Sequence, residues 1–240
     1  ISGYYSINEV LSQNGKIKKF ENFNEFLENC DVVEFLSINN DVNKYITKSI
    51  KNSKDIILNP DIIKNKDLKK ILMLVEEANT RFYIKKNEHF IKNFKESINN
   101  SENINCLNIK FFNNNIYNKN ELFLMIYDIM CALIELDYIK LCKIHSYKFS
   151  TFKPNDSIYV NIMTNKGNII NILAINNYFE NALIMEIYEL GKIHNINLTK
   201  DLNSNFYPVN DIFKRLKTPN YFDPEKEVYP LILTHQVYNS

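Results

Sequence analysis

The stretch DVVEFLSINNDVNKYITKSIKNSKDIILNP, residues 31–60, decides how the chain is read. Val32–Leu36 is an apolar run short enough for a buried strand. Ser37–Asp41 is a polar turn. Val42–Lys51 has helical spacing, and Asp55–Leu58 is a second apolar run that ends at Asn59-Pro60. Strand, helix and strand in this order make one βαβ unit with parallel strands. In open parallel sheets, ligands bind beyond the carboxyl ends of the strands. Ser37–Asn40 and Asn59-Pro60 therefore form the rim where a nucleotide would sit.

Working outward, 240 residues suit one large domain or two smaller ones. A 45% hydrophobic content supports a sizeable core and excludes a disordered chain. The net charge is +1, and the lysines are mixed with Asp and Glu in the manner of a solvated surface. That argues against a nucleic-acid partner. No apolar run approaches the roughly 18 residues of a membrane span, and no secretory signal opens the chain. The cysteines (Cys30, Cys106, Cys131 and Cys142) lack metal-ligand spacing, and three lie in apolar segments. Buried reduced thiols, no metal site and a cytoplasmic setting are expected. The abundance of Asn, Ile and Lys, with Trp absent and only 4 Gly, reads as nucleotide bias towards A and T.

Taken in order, ISGYY (residues 1–5) reads as a short strand. Ser6–Glu9 starts a brief helix, capped by Ser6 or Asn8 and broken by Gly15. Ile17–Phe20 is a strand. Asn22–Asn29 is an amphipathic helix with Phe23, Phe26 and Leu27 on one face. Beyond the βαβ unit, Lys66–Ala78 is a helix, Arg81–Ile84 a strand and Glu88–Ile98 a helix. Strands alternating with helices indicate a parallel α/β sheet.

The pattern changes near residue 100. Cys106–Phe112 is a strand and Glu121–Leu136 a long apolar helix. Strand-like runs follow at 138–150, 157–164, 168–176, 182–189 and 192–198. Asn165-Lys166-Gly167 and Leu190-Gly191-Lys192 are hairpin turns. Val209–Lys217 and Glu225–Asn239 read as closing helices. The expected fold class is α/β over residues 1–100, then α+β over 101–240 with an open, mainly antiparallel sheet.

These segments, in this order, resemble the Gfo/Idh/MocA family of NAD(P)-dependent oxidoreductases. SGYYSINE is similar to the second Rossmann strand and its exit, and FENFNEFLENCDVVEFL to the short helix and fourth strand. SKDIILNP is similar to the strand that normally ends in Glu-Lys-Pro. FYIKKNEHF resembles the strand leading to a Glu-Arg-Phe motif, ELFLMIYDIMCAL the helix bearing the family's Asp and His, and EVYPLILTHQVYNS its final helix. The resemblance implies an incomplete Rossmann-like nucleotide-binding domain in residues 1–100. Residues 101–240 would be the substrate and dimerisation domain.

Within the resemblance, each functional position departs from the pattern. Asn59 stands where the catalytic Lys would be, and an amide supplies neither a proton nor a positive charge beside a hydroxyl. Lys54 and Lys64 are weak substitutes, on the wrong side of a strand or turn. Phe123 and Tyr127 stand at the Asp-x-x-x-His positions, which share one helix face. A phenol with an ordinary pKa near 10 is a poor base, and Tyr127 suits a core position better. Asp128 matches a carboxylate just after the His, or it faces solvent or a neighbouring strand. Ser6 replaces the acid that holds the ribose, and Ser37-Ile38 and Val42 replace a Thr-Pro and a His. In Glu88-His89-Phe90 the Arg is lost. The first strand and its G-x-G-x-x-G turn are absent. Three explanations stand: a missing upstream segment, a decaying gene, or a sheet in which the second and fourth strands pair directly.

The candidate cofactor contacts are thus Ser6, Ser37, Asn59, Pro60 and Glu88, for NAD or NADP. Two readings follow. One is an oxidoreductase-like protein of sugar or nucleotide-sugar dehydrogenase ancestry that has lost hydride transfer. The other is a non-enzymatic interaction protein that forms a homo-oligomer through its second-domain sheet. In support of the second, YVNIMT carries apolar residues on both strand faces (Val160, Ile162 and Met163). His145, His194 and His235 are isolated.

Overall fold

The computed structural model describes residues 4–5, 18–36, 41–99, 104–114, 121–136, 143–151, 156–176, 178–200 and 224–239. The helix expected at Val209–Lys217 and the cap at Ser6 lie outside them.

The described residues up to Lys85 form one compact unit. Strands β1 (Tyr4–Tyr5) and β2 (Lys19–Phe20) pair in parallel. Helix α1 (Phe23–Glu28) starts because the Asn22 side chain accepts the N–H of Asn24 at 2.8 Å. The βαβ unit follows as β3 (Val32–Phe35), α2 (Val42–Lys51) and β4 (Asp55–Leu58). It continues into α3 (Asn65–Ala78) and β5 (Phe82–Ile84). The three strands are parallel, in the order β3-β4-β5. Val42, Ile46 and Ile50 recur on the buried side of α2, as Leu68, Ile71 and Val75 do on α3. Each such side chain contributes about 1.5–3 kcal/mol of burial. Asn79 ends α3 in the left-handed region at φ 50°, a conformation that Asn tolerates better than most residues. Among the described residues β1 does not pair with β3. The direct pairing considered from sequence is not seen among the described residues.

The described residues from Lys86 onward form the second unit. Helix α4 (Glu88–Asn99) leads to β6 (Ile104–Asn113) and α5 (Glu121–Glu135). Then come β7 (Lys143–Phe149), β8 (Ser157–Met163), β9 (Ile169–Asn176), β10 (Ala182–Glu189) and β11 (Lys192–Asn197). Helix α6 (Pro224–Asn239) closes the unit.

The sheet order is β11-β10-β6-β9-β8-β7. All neighbours are antiparallel except β6 and β9, which run parallel. The hairpins fall where expected, at Gly167 (φ 84°) and Gly191 (φ 76°), because those turns need positive φ. A tight turn makes neighbours of β8 and β9, and of β10 and β11. Between β9 and β10, however, the sheet inserts β6.

One sheet face is buried, through residues such as Ile109, Val160, Ile172 and Met185. Helix α5 packs against β9, and α6 against β7. Helix α5 is apolar nearly all round because it also touches α4 and α6. The last carbonyls of α6, which a helix end leaves open, accept from β7. Ser146 Oγ donates to Val237 O at 3.2 Å, and Lys148 Nζ donates to Tyr238 O.

Candidate functional site

In the first unit the rim of the parallel sheet is built by the residues that follow β3, β4 and β5. Asn59 directly follows β4 and is half-buried. Its amide donates to the Leu36 carbonyl at 3.4 Å, tying the ends of β4 and β3 together. Pro60 is buried, and the Asn59 carbonyl accepts the Ile62 N–H at 3.2 Å. Lys85 extends β5, and its N–H donates to the Leu58 carbonyl at 2.8 Å. The Lys85 ammonium pairs with Glu34 of β3. Ser6 and Ser37 lie outside the described residues. Lys64 is exposed, and Lys54 precedes the amino end of β4.

In the second unit the two helix positions are both buried. Phe123 is buried, its ring 5.2 Å from those of His235 and Tyr238. Tyr127 is 1% exposed, and burial pushes its phenol well above the ordinary range. Its hydroxyl has no oxygen or nitrogen partner among the described residues. Asp128 does not face solvent. It is buried, and its Oδ1 accepts the Asn87 backbone N–H at 2.9 Å. Burial pushes the Asp128 carboxyl up to about 7, opposed by that N–H and by Lys86 and reinforced by Glu88. Glu88 itself sits half-buried in the first turn of α4.

The expectation that the lysines are solvated surface fails at two positions. Lys85 and Lys86 are both buried. Lys86 Nζ lies 3.4 Å from Glu135 and 3.8 Å from Glu227, and Glu135 also holds Lys95 at 3.0 Å. Burial works to lower the Lys86 pKa, but the surrounding carboxylates, Glu227 foremost, more than offset it and hold it above the usual lysine range. The expectation of buried thiols holds only for Cys131, because Cys30 and Cys106 are half-buried; Cys142 lies outside the described residues. His235 packs on the Phe123 ring, a packing role and not a ligating one. The one sequence signal for the lysines was their place, directly after the apolar run of β5, where the chain is still inside the protein.

The outward face of the six-stranded sheet carries a row of polar side chains in register: Asn161, Asn171, Asn108 and Glu186. Asn161 and Tyr159 both donate to Asn171 Oδ1 at 2.8 Å. Asn171 donates to Asn108 at 2.9 Å, and Asn108 to Glu186 at 3.3 Å. The Lys110 hydrogen bond is the main influence holding the Glu186 carboxyl below its ordinary range. Around this row Tyr147, Met163, Ile169 and Ile193 are exposed.

A three-stranded parallel sheet with helices, followed by a mixed six-stranded sheet, is the two-part fold of the Gfo/Idh/MocA-type dehydrogenases. Solved structures of that type match nearly the whole chain. A probable dehydrogenase from Thermotoga maritima has a TM-score of 0.75 at 14% identity, over 92% of this chain and 81% of its own. UDP-N-acetylglucosamine 3-dehydrogenase GnnA from Acidithiobacillus ferrooxidans has a TM-score of 0.65 at 11% identity, over 92% and 82%. GenD2 from gentamicin A biosynthesis, in complex with NAD, has a TM-score of 0.72 at 10% identity, over 93% and 80%. No protein-family model and no curated protein sequence matches the chain. Among the described residues no helix is long and apolar enough to cross a membrane, and no group of His, Cys, Asp and Glu could hold a metal ion.

Proposed function

We propose that this chain is an oxidoreductase-like protein of sugar or nucleotide-sugar dehydrogenase ancestry that holds a sugar-like small molecule without turning it over. One observation carries the reading: the three positions that would do the chemistry are spent on structure. Asn59 is hydrogen-bonded to Leu36, Phe123 packs against two rings, and Tyr127 is wholly buried. None exchanges a proton with a substrate hydroxyl near neutral pH. In this reading residues 1–100 are the partial nucleotide-binding domain and residues 101–240 the substrate and dimerisation domain. The protein works in the cytoplasm, with no nucleic-acid or membrane partner.

NAD or NADP is the cofactor the resemblance implies, with Ser6, Ser37, Asn59, Pro60 and Glu88 as candidate contacts. The described rim residues do not fit its pyrophosphate. Asp41 immediately precedes helix α2, and its carboxylate opposes a phosphate at that helix end. The rim ammonium of Lys85 is already paired with Glu34. The test is NADH titration together with a turnover screen against sugars and nucleotide sugars, including myo-inositol and UDP-N-acetylglucosamine. The expected result is saturable binding of at least one panel member without NAD(P)H turnover. Turnover with any of them overturns the proposal.

A second reading rests on the exposed Tyr147, Met163, Ile169 and Ile193, which share the outward sheet face. That face would pair with a second copy of the chain. A monomer at micromolar concentration by light scattering refutes it.

A further inference from the structure

We propose that Asp128 is a proton-operated latch beside the joint where the chain first passes from one unit to the other. With its proton it holds Asn87 and the opening turn of α4 against α5. On losing the proton it lets that turn come away. The inference is independent of any ligand that the chain holds.

The joint falls at one peptide bond. Lys85 ends the first unit there and Lys86 begins the second. Each is tied into its own unit. Lys85 donates its N–H to the Leu58 carbonyl and pairs with Glu34, while Lys86 pairs with Glu135 and Glu227. Asn87 comes next, is buried and organises the turn. Its side chain accepts the Phe90 N–H at 3.0 Å, and its carbonyl accepts the Ile91 N–H at 2.9 Å. The Glu88 N–H closes back on the Lys86 carbonyl at 3.0 Å. The Asn87 N–H points the other way, to Asp128 Oδ1 at 2.9 Å, and that bond fastens the turn to α5.

The groups around Asp128 decide what its proton does. Burial and Glu88 oppose a charged carboxylate, while the Asn87 N–H and the Lys86 ammonium favour it. On the same helix Tyr127 and Cys131 flank it, and burial keeps both neutral. Glu227 faces the cluster from α6, and β9 has no titratable side chain. Burial wins, so the carboxyl keeps its proton up to about pH 7 instead of the ordinary 3.8. Once ionised, it is a second negative charge beside Glu88 in a buried place, and moving the turn away lets water reach it. Opening therefore releases a proton. It becomes easier as pH rises towards 7 and levels off above, where the carboxyl is ionised in both states. Phe90 and Phe94 are buried further along α4, which confines the movement to the turn.

Amide hydrogen exchange in the full chain tests this, with each rate expressed as protection over the unstructured rate at the same pH. The Asn87, Phe90 and Ile91 amides are expected to lose protection about tenfold between pH 5 and pH 6, and to level off above about 7. At each pH their protection is expected to be at least about tenfold lower than that of the central β6 and β9 amides, because the turn opens without the sheet. Asp128→Asn keeps the acceptor and cannot ionise. Its turn amides are expected to stay within about threefold of one protection value from pH 5 to pH 8. In the wild type the Asp128 carboxyl carbon is expected to titrate by NMR near 7, which keeps the test decisive if Asp128→Asn fails to fold. Constant protection in the wild type overturns the latch. So does a fall that persists in Asp128→Asn, or a carboxyl that titrates near its ordinary value. Turn amides that exchange only as slowly as the central strands also overturn it, because the turn would then open only with the whole unit.

Discussion

Asp128 Oδ1 accepts the backbone N–H of Asn87 at 2.9 Å, which fixes α5 to the turn that opens α4. The carboxyl is buried and pushed up to about 7 from an ordinary value of 3.8. The folded state therefore binds this proton more tightly than the unfolded state. Its stabilising effect is full below the unfolded pKa and is lost as pH rises through about 7. The thermal midpoint of the wild type should fall between pH 4 and pH 7, relative to Asp128→Asn. The difference amounts to at most about 4 kcal/mol. Parallel midpoints for the two chains across that range would refute the assignment.

Lys86 faces Glu227, which shares its burial, and the half-buried Glu135, which also holds Lys95. Lys86→Met leaves Glu227 and Glu135 without that cation and should cost about 3–5 kcal/mol in urea unfolding. Adding Glu227→Gln to Lys86→Met should recover part of the loss, because the buried carboxylate that faced Lys86 is neutralised with it. A double variant no more stable than Lys86→Met would show that the pair is not coupled.

Tyr127 presents the opposite case. Its hydroxyl is buried with no oxygen or nitrogen partner among the described residues, and its polar neighbour is the weakly hydrogen-bonding Cys131 thiol one turn on. Tyr127→Phe should be neutral or should stabilise by about 1 kcal/mol. A loss of more than about 1 kcal/mol in chemical denaturation would mean that the hydroxyl is well satisfied.

The outward sheet face can be tested at Met163 and Ile169, which are opposite each other in register and both exposed. Met163→Glu places a charge on that face at the hairpin end of β8 and β9. The wild type should sediment as a dimer and the variant as a monomer, with little change in helix and strand content. A variant that sediments with the wild type argues against pairing through this face.

Local patterns made much of the fold legible in the sequence. The runs Val32–Phe35 and Asp55–Leu58 are strands because they are short, apolar and bounded by polar turns. The glycine turns at 167 and 191 are local for the same reason: only the residues of the turn decide them. What escaped the reading depends on partners far along the chain. Nothing near β9 says that β6 will lie beside it in parallel. Lys85 and Lys86 read as surface because Glu34, Glu135 and Glu227 are distant in sequence. For Asp128 the sequence leaves a motif carboxylate, solvent and a neighbouring strand all open, because its burial depends on α4 and α5 meeting. Asn59, Phe123 and Tyr127 stand out only through resemblance, and what each one packs against depends on partners distant in sequence.

The insertion of β6 between β9 and β10 has a consequence for how the chain is made. During synthesis β6 leaves the ribosome first, with both of its hydrogen-bonding edges open. Its partners emerge only after α5, β7 and β8, a delay of several seconds at about 5–20 residues per second. Until then INCLNIKFFN is an unpaired strand with alternating apolar residues, the kind of segment that attracts other chains. The nascent chain is therefore exposed to mispairing at this strand until β9 and β10 emerge.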